Sequence, residues 1–330
     1  MTPEFSQAIS AILCCPSCRG EIREHQDGFR CGRCEQIYPR VDGLLRFVDA
    51  EYYTGSFGYQ WHEHADARWG EESELTFQRK TGFSPAELKG KLVLDVGCGN
   101  GRFADVASRL GAHVVGIDLS TAAEVAARNL ADRPSVAILQ ADALRLPFKP
   151  GSFDYIYSIG VLHHTPDCER AFKALPSLLK PDGEISIWVY SAYNKYYRMS
   201  DQYRKITSRL PPPWVHAFCR LAGPVGYADR GLRKIPMIGR PVSAILRALL
   251  PMNQNNPDHR LRVLATLDWY APKYQSKHTY EEVFRWFESC GLQDLHVLHQ
   301  PVSVRGKKAA VREVPELVSI TRDTGNKNAA

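Results

Sequence analysis

The chain predicts an α/β fold built on a parallel sheet, and three observations carry that reading. An apolar run, Leu92-Val93-Leu94, enters the loop Asp95-Val96-Gly97-Cys98-Gly99-Asn100-Gly101, which leads into a helical stretch over 102–110. A second run, His113-Val114-Val115-Gly116-Ile117, ends in the carboxylate of Asp118. Strand-like and helix-like segments then alternate as far as residue 190, the pattern of a sheet whose crossovers are helices.

Glycine at 97, 99 and 101 lets the backbone approach a ligand with no Cβ in the way, and the helix behind offers unpaired N–H groups. A dinucleotide fingerprint would need glycine at 97, 99 and 102, but position 102 is Arg. Asp95 would repel a pyrophosphate and suits a ligand carrying an ammonium and a sulfonium. Asp118 falls 17 residues after Gly101, room for one helix, where a carboxylate can accept both ribose hydroxyls. Its alternative is a helix cap, a role Ser120 fills better. A third strand, 136–140, ends in Ala141-Asp142-Ala143, and a fourth, 153–158, leads to Val161-Leu162-His163-His164. The turn Leu179-Lys180-Pro181-Asp182-Gly183 opens a fifth strand over 184–190. Later, Thr279-Tyr280-Glu281-Glu282 is a capping box for a helix over 280–290, and 292–298 with 302–304 read as closing strands.

These motifs, in this order over residues 91–190, resemble the class I S-adenosylmethionine (SAM) methyltransferases, and among them the group containing the quinone-biosynthesis C-methyltransferases. The resemblance implies a Rossmann-like sheet of seven strands ending in an antiparallel hairpin, and SAM as cofactor. It implies a cofactor site of Asp95, Gly97, Gly99, Gly101, Asp118, Leu119, Asp142 and Ala143, with Asp142 accepting from the adenine amino group. The aromatic segment Tyr52-Tyr53-Thr54-Gly55-Ser56-Phe57-Gly58-Tyr59-Gln60-Trp61 resembles the lid of such enzymes and brings Tyr59 and Trp61 to the cofactor, where aromatic faces attract a sulfonium. Packing of the N-terminal segment onto the core is the other use for those rings. His164, then His163, are candidate general bases, because imidazole titrates near neutrality and both follow a strand end that faces the pocket. A purely structural role for the pair is the alternative. Tyr190, at the tip of the fifth strand, is placed to orient the methyl acceptor.

Cys15-Pro16-Ser17-Cys18 and Cys31-Gly32-Arg33-Cys34 are two CxxC pairs separated by 12 residues. Four thiolates so spaced complete a tetrahedral zinc site, which makes Cys15, Cys18, Cys31 and Cys34 candidate Zn²⁺ ligands. With Tyr38-Pro39-Arg40-Val41-Asp42-Gly43-Leu44, the segment resembles the zinc ribbons that activate methyltransferases as separate subunits or stand fused to them. A purely structural zinc and a part in recognising substrate are the two uses for it.

Residues 191–262 carry thirteen basic and three acidic side chains, a net +10 in a chain of net +6. Pro211-Pro212-Pro213 and Gly239-Arg240-Pro241 divide this insertion into helical pieces, and Ala244-Ile245-Leu246-Arg247-Ala248-Leu249-Leu250 has the look of a helix near an interface. The charge can be solvated, can hold an anionic small-molecule, sugar or lipid-linked acceptor, or can bind RNA. Asp268-Trp269-Tyr270 follows, where it can return to the mouth of the pocket. The expected organisation is a ribbon over 1–48, a lid and linker over 49–90, the SAM core over 91–190, a helical cap over 191–275, the rest of the core over 276–312 and a tail to 330. No apolar run approaches the length of a membrane span, no secretory signal opens the chain, and nine cysteines are an odd count, all of which point to a cytoplasmic enzyme with at most peripheral membrane contact.

Overall fold

The computed structural model describes residues 2–310 apart from 27, 49–53, 67–70, 194 and 254–258. The expected tail, and Tyr52 and Tyr53 of the aromatic segment, lie outside the described residues. Eleven strands form one sheet: β1 (Ile22–His25), β2 (Gly28–Cys31), β3 (Ile37–Val41), β4 (Leu44–Arg46), β5 (Leu92–Val96), β6 (His113–Asp118), β7 (Val136–Gln140), β8 (Phe153–Ile159), β9 (Leu179–Trp188), β10 (Leu292–Val297) and β11 (Ser303–Lys308), in the order β1-β2-β3-β4-β7-β6-β5-β8-β9-β11-β10. From β7 to β10 this is a seven-stranded α/β sheet, parallel through β9 and closed by the antiparallel β11 and β10. Val93, Leu94, Val114 and Val115 are fully buried because helices cover both faces, which is why these strands read as unbroken apolar runs.

The helices are α1 (Pro3–Ile12), α2 (Gly55–Glu63), α3 (Glu71–Thr81), α4 (Pro85–Leu88), α5 (Arg102–Arg109), α6 (Ala122–Asn129), α7 (Cys168–Lys173), α8 (Lys195–Thr207), α9 (Pro212–Cys219), α10 (Ala222–Leu232), α11 (Gly239–Leu249), α12 (His259–Tyr270) and α13 (Tyr280–Ser289). The capping box of α13 is formed on both sides, Thr279 Oγ1 accepting from Glu282 N and Glu282 Oε2 from Thr279 N. Strand β9 starts at Leu179, five residues before the expected point, because Phe153 pairs with Leu179 and Tyr155 with Glu184, the residues between forming a bulge. Asp182, at φ 62°, makes the bend. Strand β11 runs on to Lys308, past the expected Val304, since five of its residues pair along β9.

The four-cysteine segment continues the sheet. Strand β4 pairs in parallel with β7, Leu45 against Leu139 and Arg46 against Gln140. Arg46 donates to Gln140 Oε1 at 3.1 Å and to Glu124 Oε1 at 3.0 Å, while Arg19 donates to the carbonyls of Leu146 and Phe148 at 2.7 and 2.5 Å. Helix α1, absent from the sequence-based expectation, starts at the Thr2 cap and buries Phe5 and Ile9. Phe5 meets the ring of His113 on β6, 5.2 Å between centroids. A small domain that shares backbone pairing and apolar core with its neighbour melts with it. Arg46→Ala is therefore expected to lower stability by about 1–3 kcal/mol in a denaturant titration that keeps one transition. Two separate transitions, read by Trp fluorescence and by far-UV dichroism, would show instead that the segment folds on its own.

Candidate active site

The loop after β5 is shaped by its glycines. Gly97, Gly99 and Gly101 have φ of 80°, 55° and 89°, a region open to glycine and costly for other residues. A Cβ on Gly97 would stand 2.3 Å from Val161 Cγ1, and one on Gly101 2.6 Å from Leu130 Cδ1. On Gly99 it would meet Trp61 Nε1 at 3.0 Å, so the lid helix α2 sits directly over the loop. Gly97 N and Cys98 N both donate to Ile117 O, at 2.8 and 2.9 Å, tying the loop to β6. At the end of that strand Asp118 Oδ2 accepts from Gly99 N at 3.0 Å, and Oδ1 from Ser120 N and Oγ at 2.9 and 2.8 Å. A carboxylate so held has its ligand-facing lone pairs fixed before anything binds.

A cavity of about 460 Å³ opens on this loop. Gly97, Gly99, Asp118, Leu119, Asp142 and Ala143 line one side of it, and His164 and Tyr190 another. Trp61 and Phe57 close it from α2, and Asp268 and Trp269 from α12. Asp142 is oriented by Leu144 N, which donates to Oδ1 at 2.9 Å. Four other residues singled out in the sequence stand elsewhere. Gly101 lies behind the wall as the N-cap of α5. Asp95 is 2% exposed and pairs across the sheet with Tyr157. Burial pushes its carboxyl up to about 8, with the Tyr157 hydroxyl opposing and the Asp118 charge adding, so it is largely protonated at neutral pH and supplies no full charge to a cation. Tyr59 turns away from the cavity and its hydroxyl meets His216 Nδ1 of α9 at 3.2 Å. Phe57 and Trp61 are four residues apart on α2 and share a face, whereas Tyr59 stands on the other side. His163 is fully buried, stacked on Tyr190 with 4.0 Å between centroids, and neither ring nitrogen has a hydrogen-bond partner among the described residues.

His164, its neighbour on the same short turn, faces the cavity edge-on to Phe57 at 4.9 Å. Its Nδ1 lies 3.0 Å from Tyr274 O, so Nδ1 carries the proton and Nε2 the lone pair. Burial lowers its pKa to about 3, against the opposing hydrogen bond to Tyr274, and burial drives His163 well below the usual range too. Both rings are neutral in the folded protein. Sequence reasoning passed over Phe57 as an individual wall residue, and over Lys80, whose Nζ lies 3.5 Å above the Trp188 ring at the same cavity. Nothing in the linker sequence marks Lys80 over Lys89; only the packing of α3 brings it here. Of the basic residues of 191–262, none whose side chain is described lines the cavity.

The thiols of Cys15, Cys18, Cys31 and Cys34 all lie within 4.8 Å of one another. Cys15 and Cys34 are 3.6 Å apart and Cys18 and Cys31 3.4 Å, close to the ~3.8 Å edge of a tetrahedron with ~2.3 Å metal–sulfur legs. Cys18 N donates to Cys15 Sγ, and Arg33 N and Cys34 N to Cys31 Sγ, at 3.4–3.5 Å, while the Tyr38 hydroxyl touches Cys15 Sγ at 3.0 Å. These donors stabilise sulfur in the charged form a metal requires.

A parallel α/β sheet whose glycine loop and strand-end carboxylates line a roofed cavity has the arrangement in which such folds bind nucleotides. Residues 94–187 match the family described as methyltransferase domain. The ubiquinone biosynthesis O-methyltransferase of Ralstonia nicotianae is 32% identical over 173 residues, 48% of this chain and 72% of that one. The mouse protein named "Probable tRNA methyltransferase 9B" is 35% identical over 140 residues, and the chain spans only 29% of its length. Among solved structures, phosphoethanolamine N-methyltransferase 2 of Haemonchus contortus, in complex with phosphomonomethylethanolamine and S-adenosylhomocysteine, is 18% identical with a TM-score of 0.43, covering 79% of this chain and 47% of that one. The chain belongs to the class I SAM-dependent methyltransferases. Among the described residues no helix is long and apolar enough to cross a membrane.

A histidine held neutral by burial takes up its proton only on unfolding, so its contribution to stability is complete above the unfolded pKa near 6.5 and is lost as pH falls toward the folded value. His163→Phe removes one such group. Its stability relative to wild type is expected to rise by about 1.4 kcal/mol for each pH unit below 6.5, in chemical denaturation between roughly pH 6.5 and 4.5. A difference independent of pH would mean that His163 is charged in the folded protein.

Proposed function

We propose that the protein transfers the SAM methyl group to an O, N or C nucleophile of a small-molecule, sugar or lipid-linked acceptor. One observation carries this reading: the cavity is roofed from two sides, by α2 and by α12, and its walls combine aromatic rings with polar and charged side chains, among them Lys80, Asp118, Asp142 and Asp268, an enclosure of the size that small ligands occupy. In this reading Gly97 and Gly99 admit the cofactor against the backbone. Asp118 accepts its ribose hydroxyls, Asp142 its adenine amino group, and Leu119 and Ala143 pack the base. Bound SAM supplies a methyl that is already electrophilic on its sulfonium. The protein's task is then to hold the nucleophile in line, which in favourable systems supplies about 7–11 kcal/mol.

Tyr190, braced by His163, and Trp188 with Lys80 above it form the acceptor side, and Lys80 is the group an anionic acceptor would meet. His164 offers Nε2 as a hydrogen-bond acceptor. With its pKa lowered to about 3 it is too weak a base to remove much of a proton in the transition state. It therefore orients the nucleophile, and the acceptor's own acidity sets the pH dependence. The rate is expected to show no inflection near 6.5 that disappears in His164→Asn. An inflection lost in that variant would establish general-base catalysis.

RNA is the second reading. It is supported by the net +10 of residues 191–262 and by the relative named for tRNA methylation. Methyl-labelled SAM incubated with the protein and an extract of its source separates the two, since label that survives nuclease in the organic or glycan fraction supports the small acceptor. Label lost to ribonuclease moves the acceptor to RNA. For the cofactor site, Asp118→Ala is expected to weaken SAM binding at least about tenfold, the loss of two charge-assisted hydrogen bonds, and an unchanged dissociation constant in calorimetry would remove Asp118 from the site. We also propose that the four cysteines hold a structural Zn²⁺. The purified protein should carry one zinc per chain, and Cys31→Ser should lose it together with several degrees of melting temperature. Full metal content in that variant would contradict the assignment.

A further inference from the structure

Helix α11 is inside out. A surface helix usually buries its apolar stripe and turns its polar face to water. Here the buried positions are Gly239 and Ser243, and the side chains turned outward are Ile238, Val242, Ile245 and Leu249, at spacings of 4, 3 and 4 residues on one face. Met237, 96% exposed, and Ile235 extend the same surface through the preceding turn. The orientation is pinned. Asp229 of α10, 2% exposed, takes Arg247 Nε and Nη2 at 2.9 and 2.6 Å and Ser243 Oγ at 2.5 Å, all from the polar side of α11. A free helix could roll to hide its apolar stripe; this one is held with the stripe facing out.

The charge around it has one sign. Residues 202–250 contain nine basic side chains and a single acid, Asp229, which is buried and consumed by Arg247, Arg233 and Ser243. Arg230, Arg233, Lys234 and Arg240 are exposed beside the apolar face, and Lys234 and Arg240 have no ion-pair partner among the described residues. Apolar side chains at the centre of a cationic surface match a bilayer face with anionic headgroups, where the stripe enters the acyl boundary and the cations stay at the phosphates. An RNA backbone would satisfy the charges but leave the aliphatic stripe in water, and of the aromatic rings that base stacking calls for this surface shows Tyr227 of α10, already covered by the Arg230 guanidinium at 4.8 Å. At eleven residues, about 16 Å, the helix can only lie in the interface plane.

We propose that α11 and the turn before it form a docking surface for anionic lipid membranes. Helix α10 stands between α11 and α12, which closes the cavity, so the docked cap would place the site within one helical layer of the bilayer. The test is flotation of the full chain with phosphatidylcholine vesicles, with and without phosphatidylglycerol, for wild type and for Ile238→Glu/Ile245→Glu. Wild type is expected to float with the anionic vesicles, and its bound fraction to fall roughly tenfold in the neutral ones and at raised salt. The double variant is expected to stay behind with its melting temperature and SAM affinity unchanged. Wild type that does not float overturns the proposal, as does a variant that floats equally well. Absence of flotation together with RNA retention, or with a dimer that the variant abolishes, assigns the face to RNA or to a second copy of the chain.

Discussion

Everything in the site depends on how closely the backbone can be approached between Gly97 and Gly101. The three left-handed glycines let the loop fold flat against β6, and Val161, Trp61 and Leu130 fill the volume that side chains there would have taken. Two consecutive N–H groups converge on Ile117 O, and a third, from Gly99, reaches Asp118. The loop, the carboxylate and the roof are thus one packed unit. Preorganisation of this kind lowers the ordering cost of binding. A methyl group added at Gly97 would have to displace Val161, which opens the turn carrying His163 and His164.

The additions to the core support that unit from outside. The four-cysteine segment extends the β7 edge and fastens it through Arg46 and Arg19, which covers an edge that would otherwise present unpaired main-chain groups. The cap meets the lid through Tyr59, His216 and His64, and through Gln60, which donates to Asp268 at 2.7 Å. Lid and cap therefore close the cavity together. None of the basic side chains described in the cap lines the cavity, and Arg204, whose charge reaches His164 and Tyr190, is held by Asp201 and Gln275.

Much of this was legible in the sequence, for a physical reason. Parallel strands buried on both faces are apolar runs, their ends carry the polar residues, and glycine loops follow from backbone geometry, all of it local. The strands ending at Asp118 and Asp142, the capping box at Thr279 and the two CxxC pairs are such features. The facing of single side chains was not legible. His163 and His164 are adjacent and chemically alike, and only the short turn at Leu162–His164 buries the first and shows the second to the cavity. Tyr59 sits between two cavity-facing aromatics on the wrong side of the helix. Asp95 reads as a counter-charge, yet it is buried and is not among the residues that line the cavity. Lys80 and Phe57 reach the cavity by tertiary packing, which leaves no periodic signal.

The central claim is that the loop, Asp118 and Asp142 together form the cofactor site under a lid supplied by α2. A crystal structure of the protein with S-adenosylhomocysteine tests it most directly. The account predicts ribose hydroxyls within hydrogen-bond distance of Asp118, the adenine amino group on Asp142, and the Trp61 ring over the ligand at Gly99. A ligand seated elsewhere, or one bound with no ribose hydroxyl within hydrogen-bond distance of Asp118, would contradict it.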